Sequence, residues 1–175
     1  MARQQRARFR AGSLFLRAFT GVVESGEVSV SGCNPSRTRR SVRCYLTYKK
    51  QYDDTEDAGA ILATFSTGPT IRSYGWNLVT EIVGTFVLIF VIIMFGHTPS
   101  GLGPLAVALL VVSIGASLGG PTGYAINPAR DLGPRIAHAV LPIRHKGSNN
   151  WAYAWVPVAG PVIGSVLAAL VAYIY

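Results

Sequence analysis

The stretch PTGYAINPARDLGPR, from Pro121 to Arg135, carries two arginines and an aspartate although it lies between two of the most apolar runs of the chain. Asparagine is a favoured helix N-cap and proline a favoured first helical residue, so Asn127 and Pro128 predict a helix that begins at Pro128 and extends to Val140. About 13 residues are too few to cross a bilayer. The helix is therefore either interfacial or a half-helix that dips into the membrane.

The charges of this stretch bear on that choice. A half-helix would place its positive N-terminal dipole end, with Arg130 close to it, where both must face protein or a water-filled cavity rather than lipid. Such a pair would favour electron-rich solute groups and repel cations. Asp131 and Arg135 are four residues apart with the acid first, so they are interpreted as a helix-stabilising pair, with a solute contact as the alternative.

The composition indicates a membrane protein. Charged residues make up 14% of the 175 residues, against about 25% in a typical soluble domain. Three segments have the length and apolarity of membrane spans, at about residues 76–96, 102–119 and 152–175. The predicted fold is an all-α membrane protein with three transmembrane helices and one re-entrant half-helix at about residues 128–140.

Glu81 lies inside the first predicted span, where an ionised group costs about 2.5 to 3.5 kcal/mol on insertion scales. It is expected to have a buried partner, for which re-entrant backbone amides are the candidates. The alternative is that its side chain reaches the interface beside Trp76.

Glycines four residues apart occur in the other two spans, at Gly115 and Gly119 and at Gly160 and Gly164. This spacing predicts close approach of a neighbouring helix. The alternative is chance, because glycine is common in membrane helices.

Residues that could carry enzyme or metal chemistry are few. Cys33 and Cys44 fit neither a CxxC site nor a zinc knuckle. His97, His138 and His145 lie near predicted helix ends without carboxylate partners, and are interpreted as interface or loop residues. No enzyme activity, cofactor or metal site is predicted.

The formal net charge of +8 is unevenly placed. Residues 1 to 50 hold nine arginines and two lysines against two glutamates, whereas the remainder is slightly acidic. Residues 1–47 contain no apolar run long enough to span a membrane, and are expected to be disordered or translated from the wrong reading frame. Residues 48–75 are predicted to form an extramembrane loop with an acidic cluster.

The motif GYAINPARDLGPR, together with the preceding SIGASLGGPTG and Glu81, resembles the second half of a major intrinsic protein, the aquaporin and glycerol-facilitator family. ILATFSTGP resembles the loop before the fourth span of the glycerol-conducting branch. The resemblance covers roughly residues 46 to 175 and implies that residues 76–175 form the second aquaporin-like repeat. It also implies passive transport of glycerol and small neutral solutes, with water.

The resemblance implies roles for individual residues. Asn127, Pro128 and Ala129 fall on the second NPA box, and Arg130 falls on the arginine of the selectivity constriction. Gly115 falls where water-selective members carry His, and Tyr124 where they usually carry a small residue. Glu81, Asp131 and Arg135 are predicted to be structural supports.

The pattern departs from the family in one respect. The family builds its pore from two inverted repeats, and this chain carries one. Asn34-Pro35-Ser36 is rejected as a first box because RTRRSVR, which follows it, would not enter a membrane. One hypothesis is therefore a channel whose first part is missing; the alternative is a non-conducting half-channel or a membrane protein with a basic N-terminal arm that binds lipid or nucleic acid.

The expected surroundings follow from the first hypothesis. The protein is expected to be a multi-pass protein of the cell membrane, in contact with the lipid bilayer and without a nucleic-acid partner. The resemblance implies a homo-tetramer if the first repeat is restored. It also places the loop around Asn127 outside the cell, a placement that the Lys and Arg content of the loops does not support.

Overall fold

The structure is a computed structural model that describes residues 35–97 and 102–174. Over these ranges it contains helices and no strand. The helices are α1 Pro35–Thr47, α2 Lys49–Asp54, α3 Ala58–Phe65, α4 Tyr74–Phe95, α5 Gly103–Thr122, α6 Pro128–Val140, a 3-10 turn Trp151–Tyr153, and α7 Val156–Ile174.

Three segments are long and apolar enough to cross a bilayer, which confirms the three predicted spans. They are Tyr74–Phe95, Gly103–Thr122 and Trp151–Ile174, with 22, 20 and 24 residues. A helix of 20 residues is about 30 Å long, which matches the hydrocarbon thickness. Many of their large apolar side chains are exposed, as lipid-facing residues are.

Contacts between the spans fix their relative directions. Gly160 of α7 lies beside Glu81 of α4, and Gly164 lies beside Thr85, so α4 and α7 run parallel. Thr70, just before α4, donates to the carbonyl of Gly120 near the end of α5, so α5 runs antiparallel to them. The start of α4, the end of α5 and the start of α7 therefore share one end of the bundle. We call it the α6 end, and the opposite one the His97 end.

The glycine pairs behave differently from each other. A Cβ added at Gly160 would lie 2.5 Å from Cβ of Glu81, and one at Gly164 would lie 2.5 Å from the carbonyl oxygen of Ile82. The close approach of a neighbouring helix that the spacing predicts at Gly160 and Gly164 is confirmed. Gly115 and Gly119 instead contact the ring of Tyr124, so the prediction of a helix neighbour there is wrong.

Disorder is expected for residues 1–47, but the last 13 of them, Pro35–Thr47, form helix α1. It lies along α6: the Thr38 hydroxyl donates to the Gly133 carbonyl at 3.2 Å, and the Tyr45 hydroxyl donates to the Pro142 carbonyl at 3.1 Å. Arg39, Arg40 and Arg43 occupy its outer side, while Arg37 and Tyr45 are buried. Burial of one side explains why this basic segment is helical. Residues 1–34, including Cys33 and Asn34, lie outside the described residues.

Residues 48–75, predicted to be a loop, contain α2 and α3. Asp57 of the acidic cluster is the N-cap of α3 and accepts from the amides of Gly59 and Ala60 at 3.0 and 3.1 Å. Tyr52 packs between Tyr45 and Phe65. Burial raises the pKa of Tyr52 to about 12, so its phenol stays neutral at physiological pH. Aromatic packing therefore orders this segment.

We predict that Gly160→Ala and Gly164→Ala each lower the free energy of unfolding by about 1 to 3 kcal/mol, because the added methyl group would overlap α4. Denaturant titration of the purified protein in detergent measures this change. Gly120→Ala is the matched control, since its methyl group would meet no atom within 4 Å. Equal unfolding curves for all three variants would contradict the packing.

Candidate functional site

The start of α6 has the predicted cap. Asn127 is extended at φ −161°, and its Oδ1 accepts from the amide of Ala129 at 3.0 Å. Pro128 is the first helical residue, and the helix ends at Val140. The predicted bounds of this short helix are confirmed.

The segment that leads to α6 has an unusual backbone. Tyr124 and Ile126 have φ values of 43° and 44°, in the left-handed region that non-glycine residues rarely adopt. Each such residue costs about 1 to 3 kcal/mol. The surroundings must therefore hold this segment in place.

Glu81 supplies that support. Its two carboxylate oxygens accept from the amides of Ala125 at 2.9 Å and Ile126 at 2.8 Å. The predicted contact between Glu81 and re-entrant amides is present. Glu81 is 1% exposed whereas Trp76 is 75% exposed, so Glu81 does not reach the interface. Hydrogen bonds to a charged group contribute about 1.5 to 3 kcal/mol each, which is enough to offset the strain.

Three of the predicted site residues come together beside this segment. The ring of Tyr124 lies over Gly115, where an added Cβ would be 3.1 Å from the ring carbon Cζ. The guanidinium carbon of Arg130 lies 5.4 Å from the centroid of the same ring. Because Gly115 has no side chain, the ring can lie directly on α5 while it stays within cation–π distance of Arg130.

Two donors at the start of α6 are left without protein acceptors. Over residues 35–97 and 102–174, the Arg130 guanidinium makes no hydrogen bond, and neither does the side-chain NH₂ of Asn127. Both residues are partly exposed. The arrangement can therefore offer several N–H donors to a solute that passes the aromatic ring of Tyr124.

Asp131 and Arg135 form a separate, fully buried network. Both are 0% exposed, and Arg135 Nε donates to Asp131 Oδ2 at 2.8 Å. Asp131 Oδ1 also accepts from the amide and hydroxyl of Thr67, each at 2.7 Å. Arg135 Nη1 donates to the carbonyls of Asn149 and Asn150 at 2.8 and 2.9 Å. Such burial leaves no route for a solute contact, so the pair ties α6 to its flanking segments.

Sequence reasoning missed the other end of α6. Lys146 Nζ donates to the carbonyls of Ala139 at 2.8 Å and Leu141 at 3.0 Å, where the helix leaves acceptors unpaired. A lysine shortly after a helix is a known signal for this contact. His138 was interpreted as an interface or loop residue, which is wrong. It is fully buried, with Nδ1 2.7 Å from Oδ1 of Asn149.

Comparison with known proteins shows which family the chain belongs to. The sequence profile described as Major intrinsic protein matches residues 44–173. The chain belongs to the major intrinsic protein family. It is an integral membrane protein of a family of channels. Residues 35–97 and 102–174 contain no group of His, Cys, Asp and Glu that could hold a metal ion.

Several relatives are glycerol uptake facilitators. The chain is 59% identical to Glycerol uptake facilitator protein 3 of Lactiplantibacillus plantarum over 128 residues, which are 72% of this chain and 53% of that protein. It is 57% identical to the Glycerol uptake facilitator protein of Streptococcus pneumoniae, over 73% of this chain and 55% of that protein. The chain therefore spans about half the length of the curated relatives that it matches.

A solved structure shows the same fold. The X-ray structure of the aquaglyceroporin from Plasmodium falciparum matches with a TM-score of 0.57 and 23% sequence identity. The match covers 76% of this chain and 55% of that one. The predicted fold of three spans and a re-entrant half-helix is confirmed.

We predict that Asp131→Asn lowers the free energy of unfolding by about 3 to 5 kcal/mol, because it leaves the Arg135 guanidinium buried without its counter-charge. Thermal unfolding followed by circular dichroism measures this change. Asp53→Asn is the matched control, since Asp53 forms a pair of the same spacing with Lys49 on the surface. Similar losses in both variants would contradict the role of the buried network.

We predict that Glu81→Gln increases amide hydrogen exchange at Ala125 and Ile126, because a neutral amide cannot replace the carboxylate as a double acceptor. Exchange of the protein in detergent, followed by peptide mass spectrometry, measures the effect. Thr80→Ala is the control, since the Thr80 hydroxyl bonds the Trp76 carbonyl on the exposed side of α4. Unchanged protection in Glu81→Gln would show that the carboxylate does not hold this segment.

Proposed function

We propose that this chain supplies one half of a passive transmembrane channel for glycerol and small neutral solutes, with water, and that it is not an enzyme. The observation that carries the proposal is the placement of Arg130 over the ring of Tyr124, beside Gly115 and at the start of the half-helix α6. The similarity to several glycerol uptake facilitator proteins supports the choice of solute.

The chemistry of these three residues suits a polyol. The ring of Tyr124 offers an apolar wall to the CH side of a solute, and the Arg130 guanidinium offers donors to its hydroxyl groups. The missing side chain at Gly115 lets the Tyr124 ring lie back against α5, which widens the passage beside the ring. The phenol hydroxyl of Tyr124 adds a polar group to this wall.

The same elements oppose the passage of cations. The N-terminal end of α6 carries a partial positive charge, and Arg130 adds a full charge one turn later. The side-chain NH₂ of Asn127 is a further donor to a passing solute or water. We therefore assign Asn127, Pro128 and Ala129 to the pore, and Arg130, Gly115 and Tyr124 to its constriction. Glu81, Asp131 and Arg135 act as structural supports.

A complete pore also needs a second wall, opposite the one formed by α6. The described residues contain one half-helix that begins with Asn-Pro-Ala, and the chain spans about half of its curated relatives. We propose that conduction needs a first repeat, and that the complete protein assembles as a homo-tetramer. Without such a repeat, the chain is a non-conducting half-channel.

A chimera tests the proposal. Residues 44–174 are fused after the first half of Glycerol uptake facilitator protein 3 of Lactiplantibacillus plantarum and reconstituted into liposomes. We expect glycerol influx, measured by stopped-flow light scattering, in the chimera but not in this chain alone. Absence of glycerol influx in a folded chimera would contradict the proposal.

Substitution at Gly115 tests the constriction in the same chimera. We expect Gly115→His to lower glycerol flux by about tenfold or more while water flux persists, because the imidazole must occupy space beside the Tyr124 ring. Gly120→Ala, on the same helix but without neighbours within 4 Å, is the control. Equal effects on glycerol and water would show that Gly115 does not line the constriction.

A further inference from the structure

The ring of Tyr124 lies flat against α5. A Cβ added at Gly115 would be 3.1 Å from Cζ of the ring, and 3.3 and 3.4 Å from the two flanking Cε carbons. These nearly equal distances place Gly115 over the carbon that bears the hydroxyl group. A Cβ added at Gly119, one turn further along the helix, would be 3.6 Å from Cδ1. The two glycines therefore fix the ring along its length, and with it the position of the hydroxyl group.

The hydroxyl group of Tyr124 has no partner among the described residues. Tyr124 is partly exposed, and its backbone amide donates to the Thr122 hydroxyl at 3.2 Å. Within the described parts of the chain its phenol makes no hydrogen bond, whereas the phenol of Tyr45 donates to the carbonyl of Pro142. A phenol can donate one hydrogen bond and can also accept. Both capacities of the Tyr124 hydroxyl are therefore open to a solute.

The neighbouring polar side chains offer donors. A guanidinium group has no acceptor, so Arg130 can bind only the acceptor atoms of a solute. Asn127 presents its NH₂ group, because its Oδ1 already accepts from the amide of Ala129. A solute oxygen that accepts from Arg130 carries, or lies beside, hydrogens that have lost their water partners. An unpaired donor away from water is costly, so those hydrogens need an acceptor close to Arg130.

We propose that the Tyr124 hydroxyl supplies this acceptor, and that it favours solutes in which N–H or O–H groups adjoin the oxygen that Arg130 binds. The guanidinium carbon of Arg130 lies 5.4 Å from the centroid of the Tyr124 ring, so one small solute can touch both side chains. Urea fits this arrangement best, because an NH₂ group lies on each side of its carbonyl oxygen. This role deepens the proposed function and rests on it, since it requires a solute in the constriction.

Phenylalanine at this position separates the effect of the hydroxyl group from that of the ring. Tyr124→Phe keeps the ring and its packing on Gly115, but removes the acceptor. Urea concentrates its N–H hydrogens beside one oxygen, whereas the hydroxyl groups of glycerol are spread along a flexible chain and can bond elsewhere. The variant should therefore lose more urea flux than glycerol flux.

Solute fluxes in the chimera that carries residues 44–174 test this role. The chimera and its Tyr124→Phe variant are reconstituted into liposomes, and influx is measured by stopped-flow light scattering above that of protein-free liposomes. We expect the urea-to-glycerol flux ratio to fall about fivefold in the variant, as for the loss of one hydrogen bond. Tyr173→Phe is the matched control, since Tyr173 is 92% exposed at the His97 end of α7, and should leave the ratio unchanged.

Acetamide distinguishes hydrogen bonding from pore width. It has nearly the shape of urea, with a methyl group in place of one NH₂ group. We expect Tyr124→Phe to reduce urea flux more than acetamide flux, and the unmodified chimera to conduct urea faster than acetamide. The second comparison needs no variant, so it tests the acceptor even if Tyr124→Phe does not fold.

Three results would overturn the acceptor role. They are an unchanged urea-to-glycerol ratio in Tyr124→Phe, equal reductions of urea and acetamide flux in that variant, and acetamide flux equal to or above urea flux in the unmodified chimera. Each can occur with glycerol influx intact, and then leaves the proposed function standing. Absence of glycerol influx in the unmodified chimera would instead contradict the proposed function, and the acceptor role with it. Circular dichroism of both variants verifies that they remain helical.

Discussion

The carboxylate of Glu81 is the contact on which the rest of the membrane region depends. A short helix can enter a bilayer only if the backbone that leads to it is satisfied within the protein. Glu81 meets this condition by accepting from two consecutive amides of a strained segment. Its backbone also lies against Gly160, so the same residue joins the packing of two spans to the position of the half-helix.

A second network holds the rest of α6 in position. Asp131 and Arg135 bind Thr67 on one side and the carbonyls of Asn149 and Asn150 on the other, while Lys146 binds the carbonyls at the end of the helix. Charged groups are retained in a buried position here because nearly every donor and acceptor has a partner. The connecting segments therefore anchor the half-helix. This leaves Arg130, which takes no part in the network, with its donors unused by the protein.

Charged residues inside the membrane differ in number and in partners from those outside it. Within the membrane, the acid Glu81 and the pair Asp131 and Arg135 are satisfied by protein groups, whereas Arg130 and Asn127 keep donors that the described residues do not use. Outside it, basic residues collect at the α6 end, on α1 and in the connections.

The three spans, the bounds of α6 and its Asn127 cap could be predicted from the sequence alone, because apolar length and cap chemistry are local properties. Spacing also predicted the pairing of Asp131 with Arg135, since residues four apart face each other on a helix. Only the tertiary structure decided that Gly115 supports the Tyr124 ring, that Thr67 binds Asp131, and that the basic segment before residue 48 folds against α6. These contacts join residues far apart in the chain, and no local pattern specifies which distant surface will be available to bury them.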